Sequence, residues 1–368
     1  MLLNMVKQNK VDLDFSNYAI LLRGAPKIGK TSLYHEIIKA KYGEQGGLLI
    51  PFEKGYSAID GLNVFPVTLL PVTNINGVER HGWDVFTDIV KEVISTRETN
   101  GIKVICIDTI DEFMTVVQNK VCKLSAIETK KPCKSINDAY GGFNRGAEKV
   151  KELIKEQVQK LRNAGIGLFF IGHTKYKTLK TKIDKEEYNI LGSNLTENYD
   201  KMIANDVDMI LMITQEPEIK DGVIIGNQRK IRFRSDGFYD VGSRFQYLPE
   251  AINCSDNAQE TAKNFISVVE DAIKKSANIT DESEFKSKLN EQRVEHEAEI
   301  KNNIQNDIDK KERMLQALHA FTSNPNTTQA QKIRFVELKN LHNIKFKDKD
   351  SVSTEVLQEI IDEFNLKY

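Results

Sequence analysis

The sequence predicts an α/β protein in which helices cover both faces of a mainly parallel sheet. Apolar strand-like segments alternate with helical segments over residues 15–250, and this alternation is typical of parallel sheets, whose strands are joined by crossover helices. A glycine-rich turn with the pattern G-x-x-x-x-G-K-[ST] occupies residues 24–31, between the first strand segment and the first helical segment. The composition changes after about residue 255, where a helical extension is predicted.

Seven apolar segments are predicted to form strands. They are residues 19–22, 47–51, 62–70, 104–107, 167–172, 209–213 and 230–234. Most are continuous apolar runs, which are typical of strands that are buried on both faces. The last alternates charged and apolar residues, which favours an edge strand or a late antiparallel strand. Helical patterns at 31–41, 83–96 and 146–163 lie between them.

The C-terminal part is predicted to be helical. A helix over 257–275 precedes a sparse apolar stripe over 281–321, which predicts one long exposed amphipathic helix or two broken ones. Docking on the chain's own core and a coiled coil both stay open, because the heptads are irregular. The expected organisation is an N-terminal segment (1–14), a core domain (15–254), a helical extension (255–322) and a small helical tail (323–368).

The composition of the 368 residues, 40% hydrophobic and 29% charged, is that of a globular protein. A formal net charge of −1 gives no overall basic field, so any nucleic-acid surface has to be local. Four scattered cysteines without a C-x-x-C pair fit a reducing cytosol. No apolar run reaches about 18 residues and no secretory signal is recognisable, so we expect a cytoplasmic protein without a membrane span.

The turn at residues 24–31 has the composition of a phosphate-binding loop. Its glycines let the backbone N–H groups face a phosphate, and the following helix adds a partial positive charge. Lys30 is expected to reach the β- and γ-phosphates, and the Thr31 hydroxyl to bind Mg²⁺. The implied cofactors are therefore ATP and Mg²⁺. The predicted nucleotide-binding residues are Gly24, Ala25, Pro26, Lys27, Ile28, Gly29, Lys30, Thr31 and Ser32.

Carboxylates follow two other predicted strands. Asp108 ends the apolar run at 104–107 and is the expected second group of the Mg²⁺ site, although it could instead only cap the next helix. Hydrolysis also needs a group that orients or deprotonates the attacking water. Glu53, which follows the strand segment at 47–51, competes with Asp111 and Glu112 for that role.

This arrangement resembles the RecA/KaiC-like branch of P-loop ATPases over residues 15–250, and most of all phage ATPases of the AAA or Sak single-strand-annealing type. The matching segments are F-E-K-G at 52–55, V-I-C-I-D-T at 104–109 and D-A-Y-G-G-F at 138–143. The resemblance implies a RecA-like P-loop NTPase fold. It also implies that Glu53 is the catalytic glutamate, because that branch carries it just after the strand that follows the P-loop helix.

The same resemblance implies roles for three more side chains. His173 follows a strand that looks like the one ending in a polar γ-phosphate sensor, where many RecA-like proteins carry Gln. Lys230 and Arg232 resemble the K-x-R finger that reaches into a neighbouring subunit's ATP site, which implies a homo-oligomeric ring or filament. The alternatives are a satisfied histidine at a strand end and the solvated face of an edge strand.

Two lysine-rich segments are candidate contacts for single-stranded DNA. A long loop is predicted from His173 to about residue 206, and the corresponding loop of RecA-like proteins lines a central channel. Lysines would neutralise phosphates and a tyrosine would stack on a base, although a solvated charged loop is the alternative. The candidate residues are Lys175, Tyr176, Lys177, Lys180, Lys182 and Lys185. The second candidate loop, residues 120–134, contains Lys123, Lys130, Lys131 and Lys134.

The expected function is Mg²⁺-dependent ATP hydrolysis by a homo-oligomer that acts on single-stranded DNA in phage recombination or replication, in the cytoplasm of the bacterial host. The second hypothesis is an ATP-dependent switch or assembly protein that does not bind DNA and recruits a protein partner through its C-terminal helices. A third, a helicase loader or AAA⁺ motor, expects a catalytic glutamate beside Asp108, where this chain has Thr109.

Overall fold

The computed structural model describes residues 6, 8–66, 72–75, 78–180, 187–341, 352 and 354–368. The chain divides into two compact units, one up to Val294 and one from Glu295 onward. The domain boundaries expected from the sequence, after residues 254 and 322, stay predictions. None of the helices in the described ranges has the length and apolar character needed to cross a membrane.

The first unit is built on one large sheet, which has nine strands in the described residues. The strands in chain order, including a separate two-stranded hairpin (β3 and β4), are β1 (Ile20–Gly24), β2 (Gly47–Pro51), β3 (Val72–Ile75), β4 (Val78–His81), β5 (Val104–Asp108), β6 (Gly167–Lys180), β7 (Glu187–Ser193), β8 (Met209–Lys220), β9 (Val223–Arg232), β10 (Gly242–Ser243) and β11 (Ala251–Asn253). The order across the large sheet is β11-β9-β8-β1-β6-β5-β2, while β10 pairs with β8 and β7 with β6.

The strands from β2 to β8 along this path, through β5, β6 and β1, are all parallel, and this confirms the predicted α/β class. The helices of this unit are α1 (Lys30–Tyr42), α2 (Gly82–Ser95), α3 (Ile110–Thr129), α4 (Arg145–Asn163), α5 (Glu197–Asp206), α6 (Ala258–Ser276) and the beginning of α7 (Glu282–Ser323). Successive strand residues alternate between two cores: Leu21 packs with α2, α3, α4 and α5, whereas Leu22 packs with α1 and α6. Because both faces are covered, the central strands are continuous apolar runs.

The prediction of a long loop from His173 to about residue 206 is wrong. Residues up to Lys180 extend β6 and pair with β7 in an antiparallel hairpin, and α5 follows. Cross-strand pairs account for the hairpin, because Thr178 donates to Asn189 and Lys180 pairs with Glu187 on the same face. The sequence did not predict this pairing, because the lysines interrupt the alternation of apolar and polar residues that indicates a strand. Residues 181–186 lie outside the described residues.

A second hairpin, β8–β9, extends well beyond the two predicted segments at 209–213 and 230–234. Asp221 and Gly222 form its two-residue turn with φ values of 51° and 77°, as a type I′ turn requires. An Asp-Gly pair is the sequence signal that predicts such a turn. Of the segment predicted as a strand at 62–70, Val64 forms an isolated parallel bridge with Leu49, and residues 67–70 lie outside the described part.

Helix α7 is one continuous helix of 42 residues, so the alternative of two broken helices is wrong. Its first turns dock on the core of the first unit, where Phe285 is buried and Gln292 donates to the carbonyl of Val11. The second unit contains the rest of α7, α8 (Gln329–Leu341) and α9 (Thr354–Glu363). Its core consists of Met314, Leu318, Phe335, Leu338, Val352, Leu357, Ile360 and Ile361.

Candidate nucleotide-binding site

The loop between β1 and α1 has the backbone of a phosphate-binding turn. Lys27 and Gly29 lie in the left-handed region, with φ values of 63° and 102°, and this conformation curls the loop. Lys30, the first residue of α1, folds back so that its Nζ donates to the carbonyls of Gly24 and Ala25, both at 2.9 Å. A phosphate placed in the loop would replace these carbonyls as the partner of the ammonium group.

A hydroxyl and a carboxylate meet beside this loop. Thr31 Oγ1 donates to Asp108 Oδ2 at 2.7 Å, and Asp108 is 5% exposed. Burial raises the pKa of the Asp108 carboxyl above its ordinary value, although the Thr31 hydroxyl and the Lys30 charge act in the opposite direction. A cation bound here would favour the carboxylate form.

This pair of oxygen ligands suits Mg²⁺. No group of three or more His, Cys, Asp or Glu side chains able to hold a metal occurs among the described residues. Mg²⁺ seldom needs such a group, because it is usually bound by one or two protein oxygens together with water and substrate phosphates. Thr31 and Asp108 therefore fit a magnesium–nucleotide complex rather than a metal site made by the protein alone.

Glu53 lies in a second cluster next to the lysine. Thr109 Oγ1 donates to Glu53 Oε1 at 2.8 Å, and His173 Nε2 is 3.2 Å from both carboxylate oxygens of Glu53. On its other side the imidazole Nδ1 is 3.4 Å from Lys30 Nζ. These contacts connect the phosphate-binding lysine to the carboxylate that was expected to activate water.

The sheet explains why these distant residues meet. Pro51 pairs with Asp108, and Gly24 pairs with His173, so the carboxyl ends of β2, β5, β6 and β1 form one edge. The backbone N–H of Glu53 also donates to the carbonyl of Asp108 at 3.2 Å. Burial lowers the pKa of Lys30, while Asp108, Glu53 and Asp111 act to raise it.

Asp111, an alternative to Glu53, has a different position. Its Oδ2 accepts a hydrogen bond from the backbone N–H of His173 at 2.9 Å. Its Oδ1 is buried and has no hydrogen-bond partner among the described residues. Asp111 thus holds the backbone of the histidine, whereas Glu53 contacts its ring.

Lys230 and Arg232 lie outside this cluster, on β9. Both pair with Glu216 of the neighbouring strand β8: Lys230 Nζ is 3.0 Å and Arg232 Nη2 is 2.6 Å from its carboxylate oxygens. The Arg232 guanidinium also lies 4.0 Å from the centre of the Tyr239 ring. Although partial burial acts to raise it, hydrogen bonds from Lys230, Thr214 and Arg232 hold the pKa of Glu216 at about 2. A role in a neighbouring subunit stays a prediction.

The candidate DNA contacts are dispersed along the β6–β7 hairpin. Tyr176 is 76% exposed, while Lys175 Nζ donates to the carbonyl of Asn194 and Lys180 pairs with Glu187. Lys177 Nζ lies 3.8 Å from Asp200 Oδ2. Lys182 and Lys185 lie outside the described residues. The expectation of a loop at 120–134 is wrong in part, because α3 continues to Thr129; Lys123 is therefore helical, whereas Lys130, Lys131 and Lys134 follow the helix.

The sequence analysis missed a buried arginine next to the phosphate-binding loop. Arg23 precedes Gly24 and is 1% exposed. Its Nη1 donates to the carbonyl and to Oδ2 of Asp240, both at 3.0 Å, and its Nη2 pairs with Asp200. A charged residue inside an apolar strand was the available signal, because such a residue is buried only with partners.

Three comparisons relate this chain to known proteins. The family described as AAA domain matches residues 16–245. The SPbeta prophage-derived uncharacterized protein YorG of Bacillus subtilis (strain 168) is 24% identical over 286 residues, covering 74% of this chain and 76% of that protein. The KaiC-like protein PH0186 from Pyrococcus horikoshii OT3 is a solved structure that is similar with a TM-score of 0.35 and 12% identity, covering 69% of this chain and 97% of that chain.

Proposed function

The chain belongs to the AAA-domain family, and from this premise we propose that it is a Mg²⁺-dependent ATPase that acts on single-stranded DNA as a homo-oligomer. The observation that carries the ATPase proposal is the contact of Glu53 with His173, next to the pair formed by Thr31 and Asp108. One cluster thus combines a phosphate-binding loop, two Mg²⁺ ligands and a carboxylate for water activation.

Each side chain has a defined part in the proposed hydrolysis. Lys30 and the loop N–H groups bind the phosphates, and Thr31 with Asp108 would hold the metal. Mg²⁺, when bound, neutralises charge on the phosphate oxygens. Glu53 accepts a proton from the attacking water while the water oxygen forms a bond to the γ-phosphorus. The bond between the γ-phosphorus and the bridging oxygen breaks, and its electron pair leaves with ADP.

Thr109 and His173 would position the carboxylate of Glu53. The Thr109 hydroxyl donates to one carboxylate oxygen, and the ring of His173 contacts both. His173 also belongs to β6, the strand that continues into the β6–β7 hairpin. When the γ-phosphate leaves Lys30, the contact between Lys30 and His173 would change, and His173 directly precedes the paired part of the hairpin.

The β6–β7 hairpin is the proposed DNA-binding element. Its exposed Tyr176 offers a ring for a base, and Lys175 and Lys180 offer cations for phosphates. Similarity to a prophage-derived protein supports a phage origin. The proposed role is in phage recombination or replication, in the cytoplasm of the bacterial host.

The β8–β9 hairpin supports the proposal of a homo-oligomer. Its tip exposes a set of large apolar side chains, whose burial against a protein surface would be favourable. They are Ile219, Val223, Ile224 and Ile225. The proposed occupant is a second copy of this chain, because the same hairpin carries Lys230 and Arg232 at its base, and these are the residues expected to reach a neighbour's ATP site.

One observation favours a second candidate, an ATP-dependent switch or assembly protein that does not bind DNA. Glu187 neutralises Lys180, and Asp200 lies close to Lys177, so the described hairpin has less free positive charge than its sequence indicates. The C-terminal helices would then recruit a protein partner.

ATP turnover with and without single-stranded DNA separates the two candidates. We would compare the wild type with Lys30→Ala, with the double variant Lys175→Glu/Tyr176→Ala, and with Lys286→Glu as an exposed charge-reversal control on α7. The first proposal is supported if DNA stimulates turnover in the wild type and Lys30→Ala abolishes turnover. The hairpin variant should then lose the stimulation by DNA, and Lys286→Glu should keep it. Turnover that is indifferent to DNA, with no DNA binding at low salt, overturns it in favour of the switch.

A further inference from the structure

Arg229, a residue of no recognised motif, lies against the phosphate-binding loop. Its Nη1 donates to the carbonyl of Ile28 at 3.4 Å, and its Nη2 donates to the carbonyl of Ser255 at 3.0 Å. A Cβ added to Gly29 would come within 3.4 Å of Nη1, so the guanidinium lies directly beside this glycine. Asp256 is the carboxylate that faces it, at 3.9 Å from Nη2.

The sheet order separates Arg229 from the hydrolytic residues. Asp108 and His173 belong to β5 and β6, and Glu53 follows β2; these three strands lie on one side of β1. Arg229 belongs to β9, which lies beyond β8 on the other side of β1. A triphosphate whose γ end lay at the hydrolytic cluster would extend along the loop, with its α-phosphate and nucleoside toward β8 and β9.

We propose that Arg229 binds the α-phosphate of the nucleotide from within the same subunit. The side chain is 35% exposed, and two of its five N–H donors are used by the Ile28 and Ser255 carbonyls. The remaining donors and the fixed positive charge suit a phosphate oxygen, because guanidinium groups form charge-assisted hydrogen bonds with phosphate as with carboxylate oxygens.

The neighbouring residues Lys230 and Arg232 lack this position. Successive side chains of a strand point to opposite faces, so Arg229 faces away from Lys230. Lys230 and Arg232 pair with Glu216, whereas Arg229 donates to the loop carbonyl of Ile28 and to the carbonyl of Ser255. Strand β9 therefore presents one cation to its own nucleotide on one face and a charged cluster on the other.

This inference rests on the proposed ATP binding, and the experiment separates the two. Isothermal titration calorimetry would measure the affinities of ADP and ATP, each with Mg²⁺, for the wild type, Arg229→Ala, Arg229→Gln, Lys30→Ala and Lys149→Ala. Lys149→Ala is the control, because it removes a cation from a surface pair on α4, outside the nucleotide site and the proposed contact between copies. The Gln variant removes the charge and keeps one amide nitrogen as a donor on a shorter side chain, so it retains part of the guanidinium's hydrogen bonding.

We expect Arg229→Ala and Arg229→Gln to weaken ADP and ATP alike, by about 10-fold or more, since both nucleotides carry the α-phosphate. Full affinity in Arg229→Gln would assign Arg229 a purely structural role in the loop and overturn the inference. Loss of affinity for ATP but not for ADP would also overturn it, because the cation would then lie at the γ-phosphate. A wild type that binds neither nucleotide would reject the proposed function itself.

Discussion

His173 connects Lys30 to Glu53 through its imidazole ring, with Nδ1 3.4 Å from the lysine Nζ and Nε2 3.2 Å from both carboxylate oxygens. The tautomer follows from the partners. An ammonium group can only donate, so Nδ1 accepts and the ring proton lies on Nε2, which donates to the carboxylate. The ring therefore orients the carboxylate and responds to whatever the lysine binds.

Replacing His173 by Ala should reduce turnover more than binding. The carboxylate of Glu53 would lose one of its two positioning partners, and we expect kcat for ATP to fall about 10- to 100-fold. ADP affinity should stay within a factor of about two, because the ring lies at the γ-phosphate end. Single-turnover hydrolysis and ADP titration measure the two effects, with His319→Ala in the second unit as control. Equal losses of hydrolysis rate and ADP affinity in His173→Ala would contradict the role of His173 as a γ-phosphate sensor.

Replacing Glu53 or Asp111 by the corresponding amide tests which of the two carboxylates activates the water. Glu53→Gln removes the proposed base and should lower turnover by about 10²- to 10⁴-fold without loss of ATP binding. Asp111→Asn keeps an oxygen that can accept the hydrogen bond from the His173 backbone N–H, so we expect turnover to decrease less than in Glu53→Gln. A larger defect in Asp111→Asn, with both proteins folded by circular dichroism, would assign the catalytic role to Asp111 instead.

Most strands of the central sheet and their mainly parallel arrangement were predictable from local sequence, whereas the strand order across the sheet was not predicted. Buried parallel strands are continuous apolar runs, and a glycine loop followed by Lys30 and Thr31 has a fixed chemistry. The position of Asp108 beside the loop was predicted from its place at the end of an apolar strand, and its role as a Mg²⁺ ligand stays a prediction. The contacts of Arg229 and Glu216 were not predictable, because they depend on the register of the β8–β9 hairpin.

The buried charges around Arg23 should contribute strongly to stability. Arg23→Met leaves Asp240 without its cation and Asp200 with only Lys177, 3.8 Å away, and breaking a buried pair in this way typically costs about 3–5 kcal/mol of unfolding free energy. Urea denaturation measures the loss. Lys149→Met, which removes a partner from a surface pair on α4, should change the midpoint far less. Equal midpoints for the two variants would show that the buried network is not stabilising.

A charge at the tip of the β8–β9 hairpin should weaken self-association. Ile224 is 65% exposed, and Ile224→Glu would bring a carboxylate into the proposed contact between copies. Sedimentation velocity should show a shift toward the monomer, by at least about 10-fold in the association constant. Val294→Glu on α7, also at an exposed apolar residue, serves as control. The same distribution for both variants and the wild type would exclude the hairpin from the interface.

His81 should make stability depend on pH in the weakly acidic range. It precedes α2, where its Nδ1 accepts from the Trp83 backbone N–H at 3.1 Å, and its buried Nε2 has no hydrogen-bond partner among the described residues. Burial lowers the pKa of this imidazole to about 4, and the charges of Lys123 and Lys120 act in the same direction against that of Asp84. Protonation would remove the acceptor that the helix N-terminus uses.

The sign follows from the lowered pKa. In the unfolded chain an imidazole with an ordinary pKa of about 6.5 takes up a proton first, so protons favour unfolding between pH 6.5 and 4. The stabilising contribution of the neutral ring is complete above pH 6.5 and is lost as the pH falls to about 4, by at most about 3 kcal/mol. His81→Ser keeps an N-cap acceptor that does not titrate in this range. Urea denaturation at pH 7.5, 5.5 and 4.5 should therefore show a smaller decrease for His81→Ser than for the wild type, and parallel decreases would assign the acid sensitivity to other groups.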